Sequence, residues 1–402
     1  MKKVIVRSLD DPELEDGADK LRILAYPYFP EVQEVEYYSS MYRWFQSHPL
    51  ANEVHRWVAV ADGGVVGHLA AFPLYYRING QRIIAYTPGD YMVHPQYGFY
   101  ALALMRRFFR TCENCVSCDM VPAVIGVETR LGCQEAGKVS YTAKLLNVSR
   151  LPMLTVPAPV RKLLNLRERA VYVRGFSRQQ PATGQGSSDL QELGELPTRS
   201  RLPIPAPVKA LLNQGLRGID GALGAAFGGD LRAQEVRGFD ASFDELFERI
   251  AAVVPCVPEK DAAFLRWRYG PGSFQAPVTV LGVRGVEGLL GYAVLKVSSK
   301  GQDGNILDLM TLPGRGEVAR ALLREAIVRF RRMGVQIIRY RFVASPTAPS
   351  FGDLRRLGFF RRDNRRYTLL VKFADHDLHK MARDTANWSY SIGDGEASFW
   401  VR

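Results

Sequence analysis

One order of elements is written twice along this chain, and that repetition constrains the fold more than any single motif. In the first copy Trp57-Val58-Ala59-Val60-Ala61 reads as a strand that meets the tight turn Asp62-Gly63-Gly64, and 65–76 continues as a long strand. Asn79-Gly80 is a strong hairpin signal, because both central positions of a type I′ turn need positive φ. Residues 82–93 form the returning strand, and 100–110 have helical periodicity. The second copy runs 278–283 (strand), Gly285 (turn), 289–297 (strand), a polar loop over 298–305, 306–311 (strand) and 319–333 (helix). Leu322, Leu323, Ala326, Ile327 and Phe330 share one face of that helix. A strand over 335–342, a helix over 351–357 and a strand over 366–373 complete the copy. The two copies are expected to superpose over 57–141 and 278–373, with Gly98 and Gly316 at equivalent turns.

A chain of 402 residues exceeds what one hydrophobic core usually organises, which agrees with two modules. Val4-Ile5-Val6 is a further strand candidate, and 19–26 and 37–45 have amphipathic helical spacing. Between the copies the composition changes. Residues 179–188, rich in Gln, Gly, Ser and Pro, read as a flexible loop. The segment Pro157-Ala158-Pro159-Val160-Arg161-Lys162-Leu163-Leu164-Asn165 recurs as Pro205-Ala206-Pro207-Val208-Lys209-Ala210-Leu211-Leu212-Asn213. Both read as helices opened by proline, which packs between modules or lies on a membrane. The expected division is 1–150, an N-terminal module; 151–237, a partly helical linker; and 238–402, a C-terminal module.

The hydrophobic fraction, 47%, and the charged fraction, 23%, are ordinary for a globular protein. No apolar run approaches the roughly 18 residues that span a bilayer. The opening Met1-Lys2-Lys3-Val4-Ile5-Val6-Arg7 meets Asp10 and Asp11 before an apolar core develops, which does not read as a signal peptide. A cytoplasmic location is expected. Of the net charge of +12, residues 313–372 alone contribute +11, from 15 Lys or Arg against four acids. An Arg-rich solvated face is the plain explanation. Phosphorylated cofactors, nucleic acid and peripheral contact with an anionic membrane are the functional ones. Without Lys-rich tails or a recognised nucleic-acid module, nucleic acid ranks last.

Function is concentrated at the junctions between third strand and helix. A strand that turns into a helix presents free N–H groups and the positive end of the helix dipole, an arrangement suited to phosphate. The first junction is Met92-Val93-His94-Pro95-Gln96-Tyr97-Gly98-Phe99-Tyr100-Ala101-Leu102. The second is Met310-Thr311-Leu312-Pro313-Gly314-Arg315-Gly316-Glu317-Val318-Ala319. The plain alternative is an ordinary strand-to-helix turn.

At these residues the chain resembles the GNAT (N-acetyltransferase) superfamily, which grips the pyrophosphate of acetyl-coenzyme A with a loop Arg/Gln-x-x-Gly-x-Gly/Ala. Gln96 and Ala101 match the ends of that pattern, with Gly98 one position early. Arg315-Gly316 followed by Ala319-Arg320-Ala321-Leu322-Leu323 is similar to a second copy, about one residue short. Leu131-Gly132-Cys133 and Leu357-Gly358-Phe359 resemble the Leu-Gly-Phe step of the family. Trp267-Arg268-Tyr269, Asn387-Trp388 and Gly393-Asp394 are similar to tandem GNAT proteins of bacterial polysaccharide gene clusters. The resemblance implies an α/β (mixed α+β) fold of two tandem modules, each a mostly antiparallel central sheet flanked by helices. It implies acetyl-coenzyme A, or another acyl-coenzyme A, as cosubstrate and no metal. Val93, Gln96, Tyr97, Gly98, Phe99, Tyr100 and Ala101 would then hold the cofactor, in the first module because its loop has the full length.

The implied chemistry is attack of an amine, on a sugar, peptide or small metabolite, upon the thioester. It needs a base, an oxyanion donor and an acid for the thiolate. Asp90 is the first candidate base and His94 the second, its ordinary pKa lying near neutrality; their structural alternatives are a turn residue and a loop residue. Where the family places an acidic tyrosine before the Leu-Gly step, this chain has Glu128 and Thr129, and Phe351 with Gly352 in the second copy. Tyr141 is the substitute acid.

Cys112, Cys115 and Cys118, with Cys133 further along, supply a rival reading, since thiolates at this spacing can wrap zinc or an iron–sulfur cluster. Buried free thiols are the expectation. Two further functions therefore stay open: a catalytically inactive binding or scaffold protein of the same fold, and a metal or nucleic-acid binder. The oligomeric state is left open.

Overall fold

A computed structural model of the chain describes residues 4–25, 35–149, 153–155, 201–203, 205–227, 229–299, 301–362 and 367–400. The loop expected at 179–188 and the helix expected at 157–165 lie outside them. Along the first half run β1 (Ile5–Ser8), α1 (Pro12–Ala25), α2 (Val35–Phe45), β2 (His55–Ala61), β3 (Gly64–Ile78), β4 (Gln81–Val93), α3 (Ala101–Thr111), β5 (Cys115–Asp119), α4 (Pro122–Arg130), β6 (Gln134–Lys138) and β7 (Ser140–Leu145). The two short strands β8 (Met153–Thr155) and β9 (Arg201–Pro203) pair with each other. They are followed by α5 (Ala206–Ala226), the second of the two proline-led segments.

The second half contains β10 (Gln234–Glu235), α6 (Ala241–Ala251), β11 (Cys256–Pro258), α7 (Ala262–Tyr269), β12 (Thr279–Gly285), β13 (Gly288–Val297), β14 (Asp303–Thr311), α8 (Gly316–Arg332), β15 (Ile337–Phe342), α9 (Phe351–Arg356), β16 (Phe360–Arg361), β17 (Thr368–Lys372) and α10 (His376–Ala382). Both meanders expected from the sequence are present. The Asn79-Gly80 turn has φ of 51° and 76°, as a type I′ turn requires.

Two mostly antiparallel sheets flanked by helices result. Their orders are β1-β2-β3-β4-β5-β17-β6, with β11 added on β3, and β10-β12-β13-β14-β15-β7-β16. Each copy of the repeat gives its last strand to the other. Strand β17 inserts between β5 and β6 of the first sheet, and β7 inserts between β15 and β16 of the second. The limits drawn at 150 and 238 therefore do not coincide with the sheets. The exchanged strands are apolar enough to hold: Leu369, Leu370 and Val371 are fully buried, worth about 1.5–3 kcal/mol each relative to exposure. Leu370 packs with Leu104, Phe108 and Cys115 of the first half.

An aromatic cluster fastens the halves further. Trp44 of α2 stacks on Trp267 of α7 at 4.2 Å and 7° and donates its indole N–H to the Trp267 carbonyl at 2.9 Å. Phe72, Phe45 and Phe399 close the cluster. Among the described residues no helix is long and apolar enough to cross a membrane.

Candidate active site

Strands β4 and β5 run parallel and pair only at Tyr86 with Cys115. Thr87 donates its hydroxyl to the Val116 carbonyl at 2.7 Å, and past that point the strands separate. The separation begins where β4 bulges. Gly67 faces Val93 and His68 faces Met92, but Ala70 faces Gly89, so Asp90 and Tyr91 together stand opposite Leu69. Asp90 adopts the left-handed φ of 47°, a conformation Asp tolerates better than bulkier residues.

The Asp90 carboxylate points away from the gap. Arg22 of α1 donates from Nε at 3.1 Å and Nη2 at 2.6 Å, Tyr42 donates at 2.8 Å, and His68 Nδ1 lies 3.3 Å away. Burial alone would raise the pKa of Asp90; Arg22, His68 and these hydrogen bonds outweigh it, and the group is held below the usual range. His68 Nδ1 also lies 2.9 Å from the Asp90 carbonyl, so both neighbours are acceptors and Nδ1 carries the proton. Burial pushes His68 down to about 4, leaving it neutral. The Asp90 side chain thus ties the bulge of β4 to α1 and α2. As the candidate general base named from the sequence, Asp90 is buried, with Oδ2 facing Arg22, Tyr42 and His68 and Oδ1 facing Arg22.

After β4, His94 accepts a 3.2 Å hydrogen bond from the Gln96 N–H on Nδ1 and thereby caps the short 3₁₀ turn Pro95–Tyr100 that leads into α3. It holds the loop and is not aimed at the gap through that nitrogen. Gln96, Gly98 and Phe99 are exposed, Phe99 to 81%, while Val93, Tyr97, Tyr100 and Ala101 are half-buried. A Cβ on Gly98 would meet nothing within 4 Å, so open space lies above the start of the helix. All seven loop residues named from the sequence are therefore brought together at the α3 N-terminus.

Tyr141 is not with them. It lies on β7, which has crossed to the second sheet, where Arg339 donates to its hydroxyl and the Arg341 guanidinium stands 4.4 Å over its ring. The strand exchange, which no local pattern announces, places this candidate acid in the second sheet.

What fills the gap instead is acidic. Glu396, on the turn Glu396–Trp400, accepts the Asp90 N–H at 3.2 Å. A Cβ on Gly89 would lie 3.0 Å from the Glu396 carboxyl carbon and 2.7 Å from the Phe72 ring, which explains a glycine in mid-strand. Glu128 of α4 is fully buried; Ser117 of β5 donates to its Oε1 at 3.1 Å, and its Oε2 has no hydrogen-bond partner among the described residues. Burial first, then the negative charges of Asp119 and Glu396, push Glu128 up to about 8 against the lowering effect of Ser117. Near neutral pH it is a protonated acid. It occupies the position where the resemblance led one to look for a tyrosine, whereas Glu396 and Asp119 carried no local signal.

The second junction is built differently. The N–H groups of Thr311 and Gly314 are already bonded to the carbonyls of Thr347 and Pro346. Arg315, which caps α8, is paired with Glu317 at 2.7 Å. Strands β14 and β15 pair from Asp303 with Ile337 to Ile306 with Tyr340. Beyond that point residues 391–394 occupy the opening: Ser391 bridges Phe342, and a Cβ on Gly393 would lie 2.7 Å from the Leu307 carbonyl. Lys260 joins Asp308 at 2.8 Å and Asp394 at 2.9 Å there, all three buried. The chain's own tail closes this second opening.

The cysteines do not assemble. Cys112, Cys115 and Cys133 share the core of the first sheet, whereas Cys118 packs on the other face of β5. All five cysteines are free thiols, and burial pushes Cys112 up to about 12. Among the described residues no group of three or more His, Cys, Asp or Glu is placed to hold a metal.

No family model matches the chain, and no curated protein does. Solved structures do. Saccharomyces cerevisiae N-myristoyltransferase with bound myristoyl-CoA aligns at a TM-score of 0.51 and 11% identity, over 97% of this chain and 90% of that one. A tandem GNAT protein from the clavulanic acid biosynthesis pathway aligns at 0.49 and 14%, over 93% and 99%. A GCN5-related N-acetyltransferase from Anabaena variabilis aligns at 0.48 and 11%, over 95% and 75%. The architecture is the tandem α/β arrangement of two helix-flanked, mostly antiparallel sheets. At these identities the likeness is one of fold.

Proposed function

We propose that this chain is an acyl-coenzyme A-dependent N-acyltransferase whose reacting centre is the gap between β4 and β5. One observation supports the reading: Glu396 accepts the Asp90 N–H at the bulge of β4, while the fully buried Glu128, held up to about 8 by burial, hangs on Ser117 of the neighbouring β5. In this reading the pyrophosphate lies over Gln96, Gly98 and Ala101, where the α3 dipole favours negative charge. Val93, Tyr97, Phe99 and Tyr100 wall the same loop. The acceptor amine enters the acidic gap, where Asp119 and Glu396 favour a group that arrives as an ammonium.

The ammonium first gives one proton to solvent water; Glu396 then leaves the Asp90 N–H and takes the second proton as the neutral amine attacks, and the N–H it vacates faces the carbonyl oxygen as charge develops. The C–N bond forms, the C–S bond breaks, and Glu128 gives its proton to the departing thiolate. A proton returned from the Glu396 side to Glu128 through water resets the pair. The acceptor belongs to the amines of sugars, peptides or small metabolites.

The test is calorimetry with coenzyme A and acetyl-coenzyme A on the wild type, Gly98→Asp and Gly316→Asp. Gly98→Asp places a negative charge in open space beside the phosphate site, so it abolishes binding with little change in stability, while Gly316→Asp keeps it. Loss confined to Gly316→Asp would move the site to the second module. No binding by the wild type would favour an inactive scaffold whose gap Glu396 keeps filled.

A further inference from the structure

A groove of about 650 Å³ runs between α5 and α8, within the size range of small-molecule sites. None of its lining residues belongs to β4, β5, β14 or β15. Its walls are apolar: Leu223 of α5, Leu231, Ile327 and Val328 of α8, and Leu357. Its rim is cationic, with Arg217, Arg232, Arg324 and Arg332. The two acids at the groove are already engaged. Asp220 is held by Lys144 at 2.6 Å and by Arg331, and Glu325 by Arg329 at 2.8 Å. Arg324 spends one N–H on the Leu231 carbonyl at 3.0 Å, while its buried Nε finds no acceptor among the described residues. Burial and the neighbouring cations Arg232 and Arg320, the latter paired with Asp353, pull its pKa down.

Helix α5 supplies a second, independent observation. It carries Gly215, Gly218, Gly221 and Gly224 in its interior, and glycine is among the poorest helix formers. None has a positive φ, and a Cβ on any of them would meet nothing within 4 Å. Among the described residues, neither backbone conformation nor packing calls for glycine there. Gly221 and Gly224 line the groove, and their missing side chains keep its α5 wall flat.

We propose that the groove between α5 and α8 binds an anionic amphiphile, a single hydrocarbon chain lying along the glycine wall with a phosphate or carboxylate head on the arginine rim. Chain and head explain different features. An inorganic anion would leave the apolar floor unused, and a neutral lipid would leave the arginines unmatched. The same chemistry is offered by a free amphiphile and by an acidic lipid within a bilayer.

The test is calorimetry on the full chain with monododecyl phosphate below its micelle concentration, beside dodecyltrimethylammonium and inorganic phosphate. Co-sedimentation with phosphatidylcholine vesicles, with and without phosphatidic acid, forms the second arm. One-to-one binding of dodecyl phosphate, at least tenfold tighter than either control, is expected. Gly221→Leu with Gly224→Leu fills the groove and should abolish it while raising the melting temperature, so loss of binding cannot be loss of fold. Arg232→Gln with Arg324→Gln should weaken it at least tenfold. Binding of the monomer identifies a free ligand, and binding only to phosphatidic acid vesicles, lost in the same variants, identifies the bilayer lipid. Equal affinity for the cationic amphiphile, binding untouched by the leucines, or no binding in either arm overturns the proposal.

Discussion

Arg22 closes on Asp90 through two hydrogen bonds, 3.1 Å and 2.6 Å long, between side chains that are 2% and 1% exposed. A helix before the first meander thereby locks the bulge in its third strand. Removing one partner of a buried pair costs more than removing both, because the survivor is a charge without a counterion. Asp90→Asn tolerates the left-handed φ and should lower stability by about 3 kcal/mol, whereas Arg22→Met combined with Asp90→Asn should recover much of it. Urea unfolding of the three proteins decides. The folded pKa of Asp90 is depressed, so its contribution is present above the unfolded value of 3.8 and is lost as pH falls below it. An Asp90→Asn protein whose acid unfolding coincides with the wild type would contradict this role.

Glu128 gives the opposite sign. Its folded pKa of about 8 exceeds the ordinary 4.5, so the folded state binds the extra proton between those limits and stability falls as pH rises through them. Glu128→Gln removes that slope and should be more stable than the wild type at pH 8 by something on the order of a few kcal/mol. If the proposed acyl transfer is right, the same group should appear as the alkaline limb of the rate profile, with kcat declining above about pH 8 and strongly reduced in Glu128→Gln. Melting temperature and kcat against pH, measured on both proteins, test stability and chemistry separately.

Leu370 tests the strand exchange. It is encoded after the second meander yet fully buried in the first core. Leu370→Ala should cost about 2–5 kcal/mol, as large-to-small core changes do. Because each sheet holds a strand of the other half, fluorescence and circular dichroism should report one transition. A first phase that disrupts the second sheet alone would show that the halves are independent.

Gly89 and Gly98 are separated by a short stretch of chain and should respond in opposite ways. Gly89→Ala drives a Cβ to within 2.7 Å of the Phe72 ring, which should cost about 1–3 kcal/mol and disturb the gap. Gly98→Ala meets open space and should be neutral for stability. Thermal unfolding of both variants checks the contrast.

Local physics made much of this fold legible. Alternating apolar residues, the Asn79-Gly80 turn and the apolar face of 319–333 marked the strands, hairpin and helix that are observed. The loop from Val93 to Ala101 was found the same way, since a strand-to-helix junction is a local event. Pairing partners were not legible. The patterns of 140–145 and 368–372 say strand, and period-2 alternation is silent about which sheet receives it. The sheet that receives Tyr141 was illegible for that reason. The partners of Asp90 were illegible because Arg22 and Tyr42 come from helices far earlier in the chain. Glu396 reaches the gap from the opposite end of the sequence.

The crossing of β17 has a consequence for synthesis on the ribosome. Residues 4–145 emerge with nearly every strand of the first sheet, yet β5 and β6 face a vacant slot until residues 368–372 follow. During that interval two strand edges are unpaired and the apolar site that Leu370 later fills is open. The nascent chain must wait for its own distant segment, so chaperone occupancy on the first half should persist until translation has passed Lys372.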